Sequence, residues 1–103
     1  MKYRVLRTDK AEEQLRDLVF YIAADSGDVD LALAYLDKLE RSINQLRDFP
    51  ESGRRPRYSV LKNQGYRVLI VERHLIFYKV NEAERTVIIY AIVDGRRDYL
   101  NLI

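Results

Sequence analysis

Gly65-Tyr66-Arg67-Val68-Leu69-Ile70-Val71-Glu72-Arg73-His74-Leu75-Ile76-Phe77-Tyr78-Lys79-Val80 holds two runs of β-branched and aromatic residues on either side of the polar pair Glu72-Arg73. Such residues suit a pleated, half-buried surface, so the stretch reads as two strands joined by a tight reversal. Successive strand side chains point to opposite faces. Val68 and Ile70 therefore share one face, Leu69 and Val71 the other, and neither face reads as solvated. One face needs cover from helices of the same chain; the other wants a partner or borders a site.

The rest of the chain supplies that cover. Tyr3, Val5 and Leu6 alternate with charged residues as a short first strand over residues 2–7. Asp9 is placed to cap a first helix, with Glu12 three residues on to complete a capping box. Ala11, Leu15, Leu18, Val19, Ile22 and Ala23 recur at spacings of three and four and carry that helix to about Ala24. Gly27 in Asp25-Ser26-Gly27-Asp28 allows the positive φ of a helix end, and Asp28 caps a second helix. Its apolar stripe is Ala32, Tyr35, Leu36, Leu39, Ile43 and Leu46, and it must stop before Pro50. A link this short makes an antiparallel helical hairpin whose stripes bury against the sheet. Phe49–Tyr58 is a loop holding both prolines, and Asn81–Arg85 is a second reversal. Thr86–Val93 is a last strand, expected beside Leu75–Val80. The fold class that follows is α+β in the order βααβββ, with an αα-hairpin on a mainly antiparallel sheet.

At 103 residues the chain has the size of one domain, 1–103, able to bury roughly 65% of its unfolded surface. The balance of 48% hydrophobic and 33% charged residues is that of a globular protein. With no cysteine and one histidine, thiol chemistry and Cys-based zinc sites are excluded, and no cofactor or metal is expected. No run of eighteen apolar residues and no signal-type N-terminus occurs, so the expected location is the cytoplasm, without membrane contact.

The net charge of +2 hides an asymmetry. Residues 1–49 hold 8 Lys/Arg and 10 Asp/Glu, a net of −2; residues 50–103 hold 10 and 6, a net of +4. Arg54, Arg55, Arg57, Lys62, Arg67, Arg96 and Arg97 form one cationic surface if the sheet gathers them. Motifs for nucleotide hydrolysis, serine hydrolysis and zinc proteolysis are missing. His74 lies beside the reversal, where an exposed loop histidine is expected. Arg67 opens a strand that otherwise reads as buried, and an unpaired charge there is costly. Either it pairs with Asp94 or Asp98, or it joins Arg96, Arg97 and Tyr99 where the strands end, making a cationic surface for phosphate or an acidic partner. Tyr35 and Tyr90 are read as core.

The order of elements, together with Phe49-Pro50-Glu51-Ser52-Gly53-Arg54, Gly65-Tyr66-Arg67-Val68-Leu69, Leu75-Ile76-Phe77-Tyr78-Lys79-Val80 and Val93-Asp94-Gly95-Arg96-Arg97-Asp98, resembles the RelE/ParE superfamily of bacterial type II toxins. The resemblance spans nearly the whole chain. It implies a toxin held by a cognate antitoxin in a hetero-oligomer, and one of two activities. RelE-like members cleave mRNA on the ribosome, a reading that would make Arg67, Arg97 and Tyr99 catalytic. ParE-like members poison DNA gyrase without chemistry of their own, and Arg54, Arg55, Arg67, Arg96, Arg97 and Tyr99 would then be target contacts. The lysine pair of the ribonuclease branch falls here on Tyr58 and Val60, and the chain ends in Asn101-Leu102-Ile103 where one ribonuclease subgroup has His-Tyr. The Pro-Glu-Ser-Gly-Arg loop and the Gly-Arg-Arg-Asp tail are more similar to the ParE branch, although Asp94 stands where histidine is common there. The resemblance therefore favours the gyrase-directed reading over the ribonuclease and over an inactive antitoxin-binding member.

Overall fold

The computed structural model describes residues 2–103. Its elements are β1 (Arg4–Arg7), α1 (Asp9–Ser26), α2 (Val29–Asn44) with a 3₁₀ turn over Gln45–Arg47, α3 (Ser59–Asn63), β2 (Arg67–Val71), β3 (His74–Asn81), β4 (Thr86–Asp94) and a closing 3₁₀ turn over Leu100–Leu102. The four strands make one sheet in the order β1-β4-β3-β2. β2, β3 and β4 form an antiparallel meander, and β1 joins parallel to β4 because α1 and α2 carry the chain back across the sheet. The α+β order expected from sequence is present, with α3 in addition. No helix among the described residues is long and apolar enough to cross a membrane.

α1 begins one residue earlier than the capping pattern suggested. The N-cap is Thr8, whose hydroxyl accepts from the Ala11 amide at 3.1 Å, while Asp9 sits in the first turn. Glu12 does not reach back to Asp9; its carboxylate meets Arg7 Nε at 3.2 Å. Arg7 also grips Glu40 of α2 in a bidentate pair at 2.6 and 2.7 Å, so one guanidinium ties β1 to both helices. The helix continues past Ala24 to Ser26 and ends at Gly27 with φ +70. Asp28 caps α2 as expected, accepting from the Leu31 amide at 3.1 Å.

The helical stripes land on one face of the sheet. Ala11, Leu15, Leu39, Ile43 and Leu46 pack with Val71, Ile76, Tyr78, Val87, Ile89 and Ile92. Each fully buried aliphatic side chain here contributes about 1.5–3 kcal/mol of apolar transfer free energy. The opposite face has its own core of Leu61, Val68, Phe77, Ala91, Val93 and Tyr99, edged by Tyr58, Tyr66, Leu75, Leu102 and Ile103. Its cover is intramolecular, and this changes the reading of that face: α3 and the C-terminal tail close over much of it. A register shift at Phe77/Tyr78 lets Ala91 pair with Phe77 and Ile89 with Tyr78, so β4 holds one extra residue, Tyr90. Tyr90 is half-buried and meets Tyr66 edge to face at 5.5 Å, on the second face rather than in the helix-side core. Ile70 at 51% and Leu6 at 46% exposure remain uncovered, in β2 and β1, the two edge strands.

Candidate functional site

The basic residues of the C-terminal half separate into two groups. Arg67 opens β2 on the helix side of the sheet, opposite Tyr78. Its Nη1 donates to the carbonyls of Gly53 at 3.0 Å and Glu51 at 3.2 Å. The same loop is held by the Gly53 amide donating to the Tyr78 hydroxyl at 2.9 Å, and by the paired backbone bonds of Arg54 and Val68 at 2.8 and 2.9 Å. Gly53 is required by close approach: a Cβ there would run into the Tyr78 ring and lie 2.9 Å from the Val68 carbonyl. Arg67 is therefore a latch for the Pro50–Arg54 loop, and neither Asp94 nor Asp98 is its partner. Asp94 is the register partner of His74, four residues along β3 from Tyr78, about 13 Å of strand. Arg67 consequently does not converge with Arg96 and Arg97 at the strand ends, because local carbonyls satisfy it first.

Tyr99 lies on the other face. It is 7% exposed, with its ring 5.5 Å from both Tyr58 and Phe77. Burial raises its phenol, so the hydroxyl stays protonated at neutral pH. Arg57 stands over Tyr58 at 5.7 Å, and Lys79 over Tyr66 at 4.5 Å, which lines this face with cation–aromatic pairs. Arg54 and Arg55 are exposed beside it at the β2 edge.

The second basic group surrounds a cleft of about 480 Å³ between α1 and the far end of the sheet. Gln14, Asp17, Leu18 and Tyr21 form one wall; Arg73, His74, Asp94, Arg96, Arg97 and Leu102 form the other. Gln14 braces the floor. Its Oε1 accepts from the Ile92 amide at 2.8 Å, where β1 has ended, and its Nε2 donates to the Leu102 carbonyl at 2.9 Å. Asp94 receives the Arg96 amide at 2.9 Å and the Arg96 guanidinium at 3.3 Å, with Arg73 at 3.8 Å. Burial works to raise this carboxyl, but the hydrogen bonds and charge of Arg96 outweigh it and hold it below the usual range.

His74 is buried, at 4% exposure, and corrects the expectation of a loop histidine. The reversal takes only Glu72, at φ +54, and Arg73, so His74 is already the first residue of β3 and faces inward. Its Nδ1 lies 2.7 Å from the Tyr35 hydroxyl, which is 3.0 Å from the Val71 carbonyl. Desolvation lowers the imidazole from its ordinary value and pushes the Tyr35 phenol up to about 12. The contact between Tyr35 and His74 has no local sequence signal, being 39 residues apart. The two-residue length of the turn was the sequence signal that His74 belongs to the strand. Among the described residues no group of three His, Cys, Asp or Glu side chains is placed to hold a metal.

The family model for the ParE toxin of the parDE type II toxin–antitoxin system matches residues 5–99, from β1 to the buried Tyr99. This chain belongs to the ParE toxin family. Among solved structures, the ParE-family chain is similar to a chain of the chromosomal ParDE toxin–antitoxin system from P. aeruginosa, with a TM-score of 0.73 and 18% identity, covering 90% of this chain and 96% of that one. It is also similar to a chain of the RelBE2 toxin–antitoxin complex from Mycobacterium tuberculosis, with a TM-score of 0.63 and 18% identity, covering 91% and 99%. At that identity the two likenesses establish the fold shared by ParE and RelE toxins. No curated protein matches the chain in sequence. A type II toxin of ParE type is thus the function that the family assigns.

Proposed function

We propose that this ParE-family toxin acts in the cytoplasm by inhibiting DNA gyrase, as a single toxin unit over residues 1–103, and that a cognate antitoxin silences it in a hetero-oligomer. The family match over residues 5–99 carries the reading. The placement of the basic residues supports it: Arg67 is tied to the loop carbonyls, Tyr99 is buried on the opposite face, and Arg97 borders the cleft, so these three side chains do not form one reaction centre. A ribosome-dependent cleavage that used them as a set is correspondingly less favoured. Exposed Arg54, Arg55, Arg96 and Arg97 are the target contacts in this proposal, while Arg67 and Tyr99 hold the surfaces that carry them. The antitoxin reading draws on both similar structures, which are toxin–antitoxin systems. It also has apolar surface to cover: Phe20 is 69% exposed on α1, with Val29, Leu31 and Leu33 exposed within the first turns of α2. Gyrase supercoiling of relaxed plasmid tests the target. Purified toxin should block supercoiling or accumulate cleaved DNA; untouched supercoiling at micromolar excess, with new cuts in mRNA on translating ribosomes, would reverse the assignment.

A further inference from the structure

The cleft beside His74 contains two unmatched polar groups, and they point to one kind of ligand. The Tyr35 hydroxyl has a single proton and lies within hydrogen-bond distance of both the Val71 carbonyl and His74 Nδ1. A carbonyl only accepts, so that proton goes to Val71 and Nδ1–H of His74 donates to Tyr35. This fixes the neutral tautomer with a bare lone pair on Nε2. No hydrogen bond to Nε2 occurs among the described residues, yet no buried side-chain nitrogen or oxygen lacks a partner. Nε2 is therefore reached from the cleft that His74 lines. Arg97, on the same wall, makes no salt bridge among the described residues, whereas Arg73 and Arg96 share Asp94. Three guanidiniums against Asp17 and Asp94 leave the cleft with net positive charge.

We propose that this cleft binds a phosphate monoester or inorganic phosphate, with Arg97 as the ionic contact and His74 Nε2 sharing the ligand's proton. An acceptor lone pair inside a cationic cleft selects a protic anion. Phosphate has a second pKa near neutrality, about 6 for a monoester, and brings or takes that proton at neutral pH: the monoanion on neutral imidazole and the dianion on imidazolium hold the same number of protons. Sulfate has no proton to give and must wait for His74 to be charged. The groups facing His74 are Tyr35 from α2, Glu72 and Arg73 from the turn, and Asp94 and Arg96 at the end of β4, with Arg97 on the same wall and Asp17 across the cleft. Arg73 and Arg96 oppose that charging; Asp94 and Glu72 favour it. The cleft volume lies within the range of small-molecule sites, and Tyr21, 60% exposed on α1, offers a ring against which a base can stack. The inference is independent of which macromolecule the toxin poisons.

With one histidine in the chain, a single imidazole Cε1–H resonance reports on the site. Titration of the intact protein with inorganic phosphate at neutral pH should move it saturably, and sulfate should bind at least tenfold more weakly. Arg97→Gln, at an exposed position, should weaken phosphate at least tenfold. His74→Asn keeps a donor toward Tyr35, removes Nε2, and should erase the preference over sulfate; a circular dichroism melt checks its folding. Adenosine monophosphate distinguishes the source: tighter binding than phosphate, lost in Tyr21→Ala, marks a nucleotide site, and equal binding marks free phosphate. No saturable shift in the wild type, equal response to sulfate, or an undiminished response in Arg97→Gln would overturn the proposal.

Discussion

The two ends of the β2–β3 hairpin use arginine in opposite ways. At one end Arg67 is absorbed into structure, its guanidinium on the Glu51 and Gly53 carbonyls while Tyr78 and the Arg54–Val68 bridge complete the seam. At the other end Arg73 and Arg96 share one carboxylate, Arg97 has no ionic partner among the described residues, and an imidazole nitrogen opens into a cleft. A saturated polar network is the signature of a seam that folding requires. An unsaturated one beside a cavity has capacity left for a ligand or partner. In the sequence the two ends look alike, since each is an arginine near a β-rich stretch.

Substitutions should separate them. The largest loss is expected from Gly53→Ala, which forces a methyl against Tyr78 and Val68 and should cost about 3 kcal/mol in urea unfolding. Tyr78→Phe strips the Gly53 amide of its acceptor in a buried setting, a loss of about 2 kcal/mol by the same measurement. Arg67→Ala frees two loop carbonyls at a half-buried site and should cost about 1 kcal/mol, with faster proteolysis of the 50–56 loop. At the open end, Arg97→Ala should change stability by less than about 0.5 kcal/mol. A stability loss at Arg97 equal to that at Arg67 would erase the distinction.

Acid should also act on the open end first. His74 is depressed from 6.5 chiefly by burial, so the folded state favours the neutral ring. The stability this contributes is full above the unfolded value of 6.5 and is lost as pH falls through the lower folded value. Asp94, depressed below 3.8, contributes in the same sense only at more acid pH, its share being lost as pH drops through its folded value. Urea midpoints should therefore be flat from neutral pH up to the onset of tyrosine ionisation, where the raised Tyr35 phenol begins to count, and decline in a first step below about 6.5. His74→Asn should remove that first step and leave the second.

Periodicity explains what the sequence made legible. The stripes of α1 and α2 and the run Thr86–Val93 are long enough to declare a helix or strand, and each lies where expected. Ser59–Asn63 is too short to show a repeat, so α3 was invisible, and with it the closure of the second face by Leu61, Tyr58 and Tyr99. Asp9 and Thr8 are both competent caps, and the choice is made by the strand, since the Thr8 amide donates to Ile89 at the end of the β1–β4 pairing. The candidate site was half legible: Arg96 and Arg97 do fall at the strand end, but the partners of Arg67 and His74 are set by tertiary contacts 14 and 39 residues away.

The most direct test measures folding and toxicity on the same pair of variants. Thermal melts and gyrase supercoiling should be recorded for Arg67→Ala and for the double variant Arg96→Ala/Arg97→Ala. The account predicts a lowered melting temperature for Arg67→Ala with inhibition retained below that temperature, and a larger loss of inhibition in the double variant while it stays folded. An Arg67→Ala protein that melts like wild type yet no longer inhibits gyrase, beside a double variant that inhibits fully, would contradict it.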